Sequence, residues 1–199
     1  MKIIVVGAAG DIGRVICDEL GGRHDLIKVG RTSGDIQADM SDENALVAMY
    51  KKIGPVDAVI SAAGDAHFAL LEDHTAETIM VGIKQKVMGQ INLVLIGRDY
   101  VNEGGSFTLS SGVLNRDPVP MGAGSATANG AIDGFVMGAA IDMPKRQRIN
   151  VVSPGILEIS ANQYGHMFKG HDPVSSLRVG RAYAKRVEGM VTGQVIVVE

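Results

Sequence analysis

Short apolar runs alternate with longer segments of helical periodicity along most of the chain. The first run, residues 3–6, contains only β-branched side chains and ends at Gly7. Such alternation is typical of a parallel sheet covered by helices on both faces. The pattern predicts seven strands, at 2–6, 25–29, 35–38, 56–61, 105–110, 147–152 and 194–198, and five helices, at 11–20, 42–52, 75–101, 123–143 and 173–188.

No internal repeat, low-complexity tract or linker divides this pattern. Residues 1–199 are therefore predicted to form one doubly wound α/β domain with a parallel sheet of about seven strands. The segment 156–172 has the weakest pattern, and we expect it to be a surface loop. Since ligands of such sheets bind at the carboxyl ends of the strands, this loop is predicted to cap a substrate there.

Three evenly spaced glycines follow the first strand and precede a helical segment. In this G-x-x-G-x-x-G stretch, Gly7 permits the turn, Gly10 permits close approach of a phosphate, and Gly13 lets the helix pack against the strand. Backbone N–H groups at the start of the helix can then bind a pyrophosphate. The stretch predicts a dinucleotide site that contains Gly7, Ala9, Gly10, Asp11, Ile12 and Gly13.

Composition narrows the choice of partners. A net charge of −3 gives no general attraction to nucleic acid or to anionic membranes. The single cysteine, Cys17, excludes an intrachain disulfide framework and fits a reducing compartment. No apolar run approaches the ~18 residues that a membrane span needs. We expect a cytoplasmic protein that binds a small molecule, with no metal, nucleic-acid or membrane partner.

Further motifs follow the glycine turn in a fixed order. They are VGRTSG after the second strand, QADMSD, VISAAG at 59–64, GSFTLSSG at 105–112, SATANGAIDGF at 125–135, NVVSPG at 150–155 and VTGQVIVV at 191–198. In this order they resemble the short-chain dehydrogenase/reductase family over nearly the whole chain. The resemblance implies a Rossmann fold and adds these cofactor contacts: Arg31, Thr32, Ser33, Asp39, Met40, Ala62, Ala63, Gly64, Pro154 and Gly155.

The turn after the second strand bears on the choice of cofactor. An acidic residue there binds the ribose 2′-hydroxyl of NAD, whereas an arginine pairs with the 2′-phosphate of NADP. Here Arg31 follows the strand with two hydroxyl residues, and no carboxylate occurs before Asp35. The sequence favours NADP(H) over NAD(H), with a solvated loop arginine as the alternative interpretation of Arg31.

The resemblance is incomplete at the active site. Reduction in the family uses a tyrosine four residues before a lysine, a serine, and an asparagine on the long middle helix. The matching positions are Ser125 for the tyrosine, Asn129 for the lysine and Lys86 for the asparagine. Only the serine is kept, with Ser111 as the best match and Ser110 as the second.

No other alignment restores the missing pair. Shifting the active-site helix by one residue places Gly124 and Ala128 at the two positions. Lys86 is either a replacement for the missing positive charge, a phosphate contact, or a surface lysine. The remaining candidate acids lie on predicted loops: Tyr164, His166 and His67.

Two functions from different classes follow. The first is an NADP(H)-dependent oxidoreductase for an unknown carbonyl or alcohol, with Ser111, Lys86, Asn129 and Ser125 as its non-standard active site. The second is a catalytically inactive dinucleotide-binding sensor or assembly protein. The intact glycine turn disfavours a third, purely structural role. In the family that the chain resembles, the helices matching 75–101 and 123–143 pair across a two-fold axis, so the resemblance implies a homodimer or homotetramer. Both helices carry more apolar residues than one buried face needs, which agrees with that assembly, with two deep core helices as the alternative.

Overall fold

The computed structural model describes all residues, 1–199, and contains seven strands and six helices. The strands are β1 (Lys2–Val6), β2 (Asp25–Gly30), β3 (Ile36–Gln37), β4 (Val56–Ser61), β5 (Val101–Ser110), β6 (Arg148–Pro154) and β7 (Val195–Val198). The helices are α1 (Asp11–Leu20), α2 (Glu43–Ile53), α3 (Ala76–Gly97), α4 (Ala123–Asp142), α5 (Ala161–Tyr164) and α6 (Ser176–Glu188).

All seven strands form one parallel sheet in the order β3-β2-β1-β4-β5-β6-β7. The order reverses at β1, whose Ile4 lies opposite Ile27 on one side and Val59 on the other. The predicted single-domain, doubly wound Rossmann fold is confirmed. In such sheets the ligand crevice lies outside the carboxyl ends of the strands at this switch point.

The sheet separates two apolar cores, because successive side chains of a strand point to opposite faces. Ile4 and Val6 belong to a core of 22 buried residues, which is completed by α2, α3 and α4. Ile3 and Val5 belong to the second core of 16 buried residues, against α1 and α6. The two-sided burial explains why the strands are almost wholly apolar.

The boundary between α3 and β5 differs from the prediction. The helix ends at Gly97 rather than 101, and β5 begins at Val101 rather than 105. Val101 pairs with Val56, and the chain then bulges before Ser106 pairs with Ala58. The sequence between these two pairs contains adjacent glycines, which hid the first part of the strand.

The segment 156–172 is only partly the irregular loop that was predicted. Leu157 forms a β-bridge with Val174, a 3-10 turn covers Glu158–Ser160, and α5 follows directly. The next helix begins at Ser176 rather than 173, because the side chain of Ser175 caps it by accepting a hydrogen bond from the Arg178 amide. The weak pattern reflects short elements rather than an absence of structure.

By length and composition alone, helix α3 is long and apolar enough to cross a membrane. It packs on the sheet instead, and Val87, Leu93 and Val94 lie in the first core. Core helices of soluble proteins have the same composition, so this one helix is a weak indication of a membrane span. The turn Ile83–Met88 of α3 is π-helical, and such turns often occur at functional sites.

Candidate active site

The glycine turn has the shape that the sequence predicts for a phosphate cradle. Gly7 has a φ of +82°, and a Cβ there would lie 2.8 Å from the Ala62 backbone. A Cβ on Gly13 would lie 2.0 Å from the Gly7 carbonyl oxygen, so the first turn of α1 packs directly on the end of β1. Gly10 caps α1 without a side chain, which leaves the N-terminal amides open to an anion.

Neighbouring predicted residues have structural partners. The carbonyl of Ala9 accepts a hydrogen bond of 2.7 Å from Arg14, whose guanidinium also pairs with Asp11. The Asp11 carboxylate accepts a second hydrogen bond of 2.5 Å from the Ser160 hydroxyl. Ile12 packs against the second core. The segment before α5 is therefore tied to the start of α1.

A cleft of 260 Å³ lies beside this turn, at the carboxyl ends of β1, β2 and β4. It brings together six of the predicted cofactor residues, from four separate stretches of sequence: Gly7, Arg31, Asp39, Met40, Ala63 and Gly64. The cleft and the glycine turn fit an adenine dinucleotide, since an open cradle of amides adjoins a pocket with a guanidinium at its edge.

The lining of the cleft contains one basic residue, Arg31, and two acidic residues, Asp39 and Asp65. Arg31 is exposed, whereas the nearest acidic residue along the chain, Asp35, accepts a hydrogen bond of 2.8 Å from the Lys28 amide and lies outside the cleft lining. Asp39 accepts hydrogen bonds from the amide and hydroxyl of Ser41. These bonds, together with the charge of Arg31, lower the pKa of the Asp39 carboxyl.

The other predicted cofactor residues lie outside the lining of the cleft. Thr32 and Ser33 are exposed in the turn after β2. The Ala62 amide donates to the Val6 carbonyl. Pro154 ends β6 opposite Val198 of β7, whose carbonyl accepts from the Gly155 amide.

The two candidate serines differ in their hydrogen bonds. The Ser110 hydroxyl donates to the Ser61 carbonyl and lies 2.5 Å from the Tyr183 hydroxyl. The Gln90 side chain accepts a hydrogen bond from the backbone amide of Ser110 and donates one to the backbone carbonyl of Ser110. The Ser111 hydroxyl is buried and has no hydrogen-bond partner. Ser111 is therefore the serine that is free to bind a ligand.

Lys86 extends from the π-helical turn toward Ser111. Its Nζ donates hydrogen bonds to the Ser111 carbonyl, at 3.2 Å, and to Oδ1 of Asn129, at 2.6 Å. Burial lowers the pKa of Lys86 to about 8, and the charges of Asp133 and Asp65 oppose the shift in part. Lys86 is thus partly buried and hydrogen-bonded to two of the other predicted catalytic residues, Ser111 and Asn129.

One face of α4 presents three buried polar side chains at helical spacing. Ser125 is 8% exposed, Asn129 2% and Asp133 7%. Asn129 contacts Lys86, whereas no hydrogen bond joins Ser125 to Lys86 or Ser111. Asp133 accepts a hydrogen bond of 2.7 Å from Asn115, beyond the end of β5. Asp133 was missed in the sequence, although it lies four residues after Asn129 and eight after Ser125.

A histidine also missed by the sequence analysis lies near the start of α4. His74 Nδ1 is 3.0 Å from the Thr78 hydroxyl, while its Nε2 is buried without a partner. A Cβ on Gly124 would lie 3.6 Å from the His74 ring. The only sequence signal is its place directly before Thr75, which caps α3.

The three acids considered earlier, Tyr164, His166 and His67, are all exposed. Three loops and α4 meet in a small apolar cluster near this end of the sheet. Val113, Leu114 and Val119 are buried, and Phe68, Ala126 and Phe168 pack on them. Phe168 belongs to the segment 156–172, so that segment adjoins the loops that follow β4 and β5.

Comparison with known proteins identifies the family. A family model described as "Enoyl-(Acyl carrier protein) reductase" matches residues 15–190 of the chain. The chain belongs to the short-chain dehydrogenase/reductase family of oxidoreductases. Curated relatives of this family include a mouse (Mus musculus) 3-oxoacyl-[acyl-carrier-protein] reductase, which is 24% identical over 208 residues that cover 100% of this chain and 86% of that protein.

Two solved structures superpose over the whole chain. The protein lin1944 from Listeria innocua is 43% identical, with a TM-score of 0.98 and full coverage of both chains. A small-chain dehydrogenase in complex with NADPH is 26% identical, with a TM-score of 0.88, and the match covers 100% of this chain and 96% of that one. The fold is thus shared with both structures, and the second of them binds NADPH.

Proposed function

We propose that the protein is an NADP(H)-dependent oxidoreductase that interconverts a carbonyl and an alcohol at a non-standard active site. The observation that carries this proposal is the cleft next to an intact glycine turn, with Arg31 at its edge and no acidic residue at the end of β2. A relative of similar fold was crystallised with NADPH, which supports the same cofactor class.

In this proposal the 2′-phosphate of the cofactor binds at the turn after β2. The Arg31 guanidinium and the hydroxyl groups of Thr32 and Ser33 are donors suited to a phosphate dianion. Asp39 and Met40 lie beside the adenine. The pyrophosphate binds at residues 7–13, and the remaining contacts toward the nicotinamide come from Ala62, Ala63, Gly64, Pro154 and Gly155.

The reactive end of the cofactor lies, on this view, near Ser111 and Lys86. When bound, the nicotinamide supplies the hydride and the two electrons of the reduction. Ser111 offers a hydroxyl with no other partner, and Asn129 holds the Lys86 ammonium. Ser125 completes the set as a buried hydroxyl on the same face of α4. The segment 156–172 caps the substrate.

The alternative function is a dinucleotide-binding sensor or assembly protein without turnover. It is favoured by one observation, that Ser125 and Asn129 occupy the places of the family's tyrosine and lysine. It predicts cofactor affinity without consumption of the cofactor, and a protein partner recovered by pull-down.

A homodimer or homotetramer, in the cytoplasm, completes the proposal. Apolar side chains on the outer surfaces of α3 and α4 support it, since Leu95 is 43% exposed, Met137 53% and Ile141 84%. Burying such a patch against a second copy would remove it from water. We expect a mass in solution of at least twice the 20.9 kDa of one chain, and a mass equal to one chain would contradict the oligomer.

The enzymatic proposal is tested by mixing the purified protein with NADPH and a panel of aldehydes, ketones and α-diketones. Loss of nicotinamide absorbance with at least one compound is the expected result. A thermal-shift measurement with NADPH runs in parallel. Stabilisation by NADPH with no turnover on any compound would contradict the reductase and favour the sensor.

A further inference from the structure

Two polar groups of the active site lack the partners that buried groups normally have. The Lys86 ammonium carries three N–H donors and uses two of them, on the neutral oxygens of Ser111 and Asn129. No carboxylate pairs with it. Lys86 binds the carbonyl of Ser111. The hydroxyl of the same serine is buried and has no hydrogen-bond partner. Buried polar groups are rarely left unsatisfied, so this pair is suited to a ligand.

Lys86 lies between the cofactor cleft and the end of β5. Its stem passes Gly64, where an added Cβ would lie 2.5 Å from Lys86 Cγ, and Gly64 lines the cleft. Its ammonium reaches Ser111, the residue that follows β5. A dinucleotide of such a sheet binds at the carboxyl ends of the strands. A substrate next to it would contact the Lys86 ammonium.

We propose that Lys86 is the proton donor of this active site, with Asn129 as the residue that positions it. The inference rests on the proposed oxidoreductase function. In reduction, one Nζ–H bond of Lys86 breaks and an O–H bond forms on the substrate oxygen, while the carbonyl carbon gains a hydride and its C=O bond becomes single. Lys86 is left as a neutral amine and takes a proton back from solvent.

The position and chemistry of Lys86 distinguish it from the other polar groups. Serine hydroxyls, such as those of Ser111 and Ser125, are too weak as acids near neutral pH. Tyr164 is 44% exposed, and His74 is held on Thr78. The lowered pKa of Lys86 keeps most of the ammonium protonated at pH 7 and makes it a better acid than a solvated lysine.

Asn129 gives the lysine its geometry. The amide oxygen accepts from Nζ at 2.6 Å and bears no charge, so it holds the ammonium and stabilises the charged form less than a carboxylate would. The family resemblance places a lysine on α4 and an asparagine on α3. In this chain the lysine, Lys86, lies on α3 and the asparagine, Asn129, lies on α4, and the two side chains are hydrogen-bonded.

The first test measures the titration of Lys86 and needs no turnover. Lysine ε-carbon NMR signals are followed from pH 6 to 11, and the Lys86→Arg variant identifies the signal. Lys84→Arg, which changes an exposed lysine of the same helix, is the matched control. We expect the Lys86 signal to titrate near pH 8. Titration at the ordinary lysine value of about 10.4 would overturn the proposal.

The second test uses NADPH and 2,3-butanedione as the probe carbonyl. Wild-type and Lys84→Arg proteins should lose reductase rate as the pH rises through about 8, because the donor loses its proton. Arginine keeps the charge but does not release a proton, so Lys86→Arg should lower kcat about 100-fold and abolish that pH dependence. The Kd for NADPH should stay within about twofold.

The outcomes separate the inference from the function on which it rests. If Lys86→Arg keeps the rate and the pH profile, or weakens NADPH binding with kcat unchanged, Lys86 is not the donor. If the wild-type protein binds NADPH and reduces no probe, the oxidoreductase function fails, whatever the NMR titration gives. Should Lys86→Arg not fold, as judged by circular dichroism, Lys86→Met takes its place.

Discussion

Replacing Lys86 with glutamine should change how the stability of the protein depends on pH. The ammonium is held in the fold by two neutral oxygens, and burial lowers its pKa to about 8. In the unfolded chain a lysine titrates near 10.4 (about the model-peptide value). Between these values the unfolded chain binds a proton that the folded chain has released. The free energy of unfolding therefore rises with pH in this window, and glutamine removes that dependence.

The size of the effect follows from the shift. Each pKa unit corresponds to about 1.36 kcal/mol, so a shift of about two and a half units changes the unfolding free energy by about 3 kcal/mol over the whole window. Only part of that window is accessible, because burial also raises the pKa values of Tyr50 and Tyr183, whose titration opposes the effect at higher pH. From pH 7.5 to 9.5 we expect a change of about 2 kcal/mol.

The assay is urea unfolding of the wild type and of Lys86→Gln at several pH values in this range. The wild-type free energy minus that of the variant isolates Lys86 from other groups. The expected result is a difference that grows by about 2 kcal/mol in favour of the wild type, with no such growth for Lys84→Gln. A difference that stays constant within about 0.5 kcal/mol would refute the burial of a titrating ammonium at Lys86.

Three further substitutions test the cofactor site and the chemistry. Arg31→Ala should weaken NADPH binding by about 10- to 100-fold in calorimetry, since charged hydrogen bonds contribute about 1.5–3 kcal/mol, while NADH binding should change less than about twofold. Gly13→Ala should destabilise the protein by about 2 kcal/mol in thermal unfolding and reduce NADPH affinity, because its Cβ would lie 2.0 Å from the Gly7 carbonyl. Gly134→Ala, at an open position on α4, is its control and should not destabilise. The double variant Ser125→Tyr, Asn129→Lys should consume NADPH more slowly than the wild type, because Asn129→Lys removes the oxygen that holds the Lys86 ammonium and adds a second positive charge beside it. A folded double variant that gains activity over an inactive wild type would contradict this and favour the inactive dinucleotide-binding protein.

Elements fixed by local pattern were predictable from the sequence. β1, α1 and β4 begin and end at the predicted residues, since each carries an uninterrupted apolar or amphipathic pattern next to a turn residue. The start of β5 was not predictable, because Val101 joins the sheet through long-range pairing with Val56 before the chain bulges. The local hydrophobic pattern does not show which distant strand a residue pairs with.

The sequence could predict the type of site but not the side-chain contacts within it. The glycine turn and Arg31 could be placed in a cofactor site because their spacing has a local mechanism. The hydrogen bond between Lys86 and Asn129 joins residues 43 positions apart, so no local pattern could predict it. His74 and Asp133 were missed for the same reason, because loop packing and helix orientation bring them to the site.

We expect the cleft and the glycine turn to bind NADP(H). The most direct measurement is titration calorimetry of the wild-type protein with NADPH and with NADH under identical conditions. We expect NADPH to bind at least about tenfold more tightly, since Arg31 has no counterpart for the 2′-hydroxyl of NADH. No heat and no thermal shift with either dinucleotide would contradict dinucleotide binding at this site.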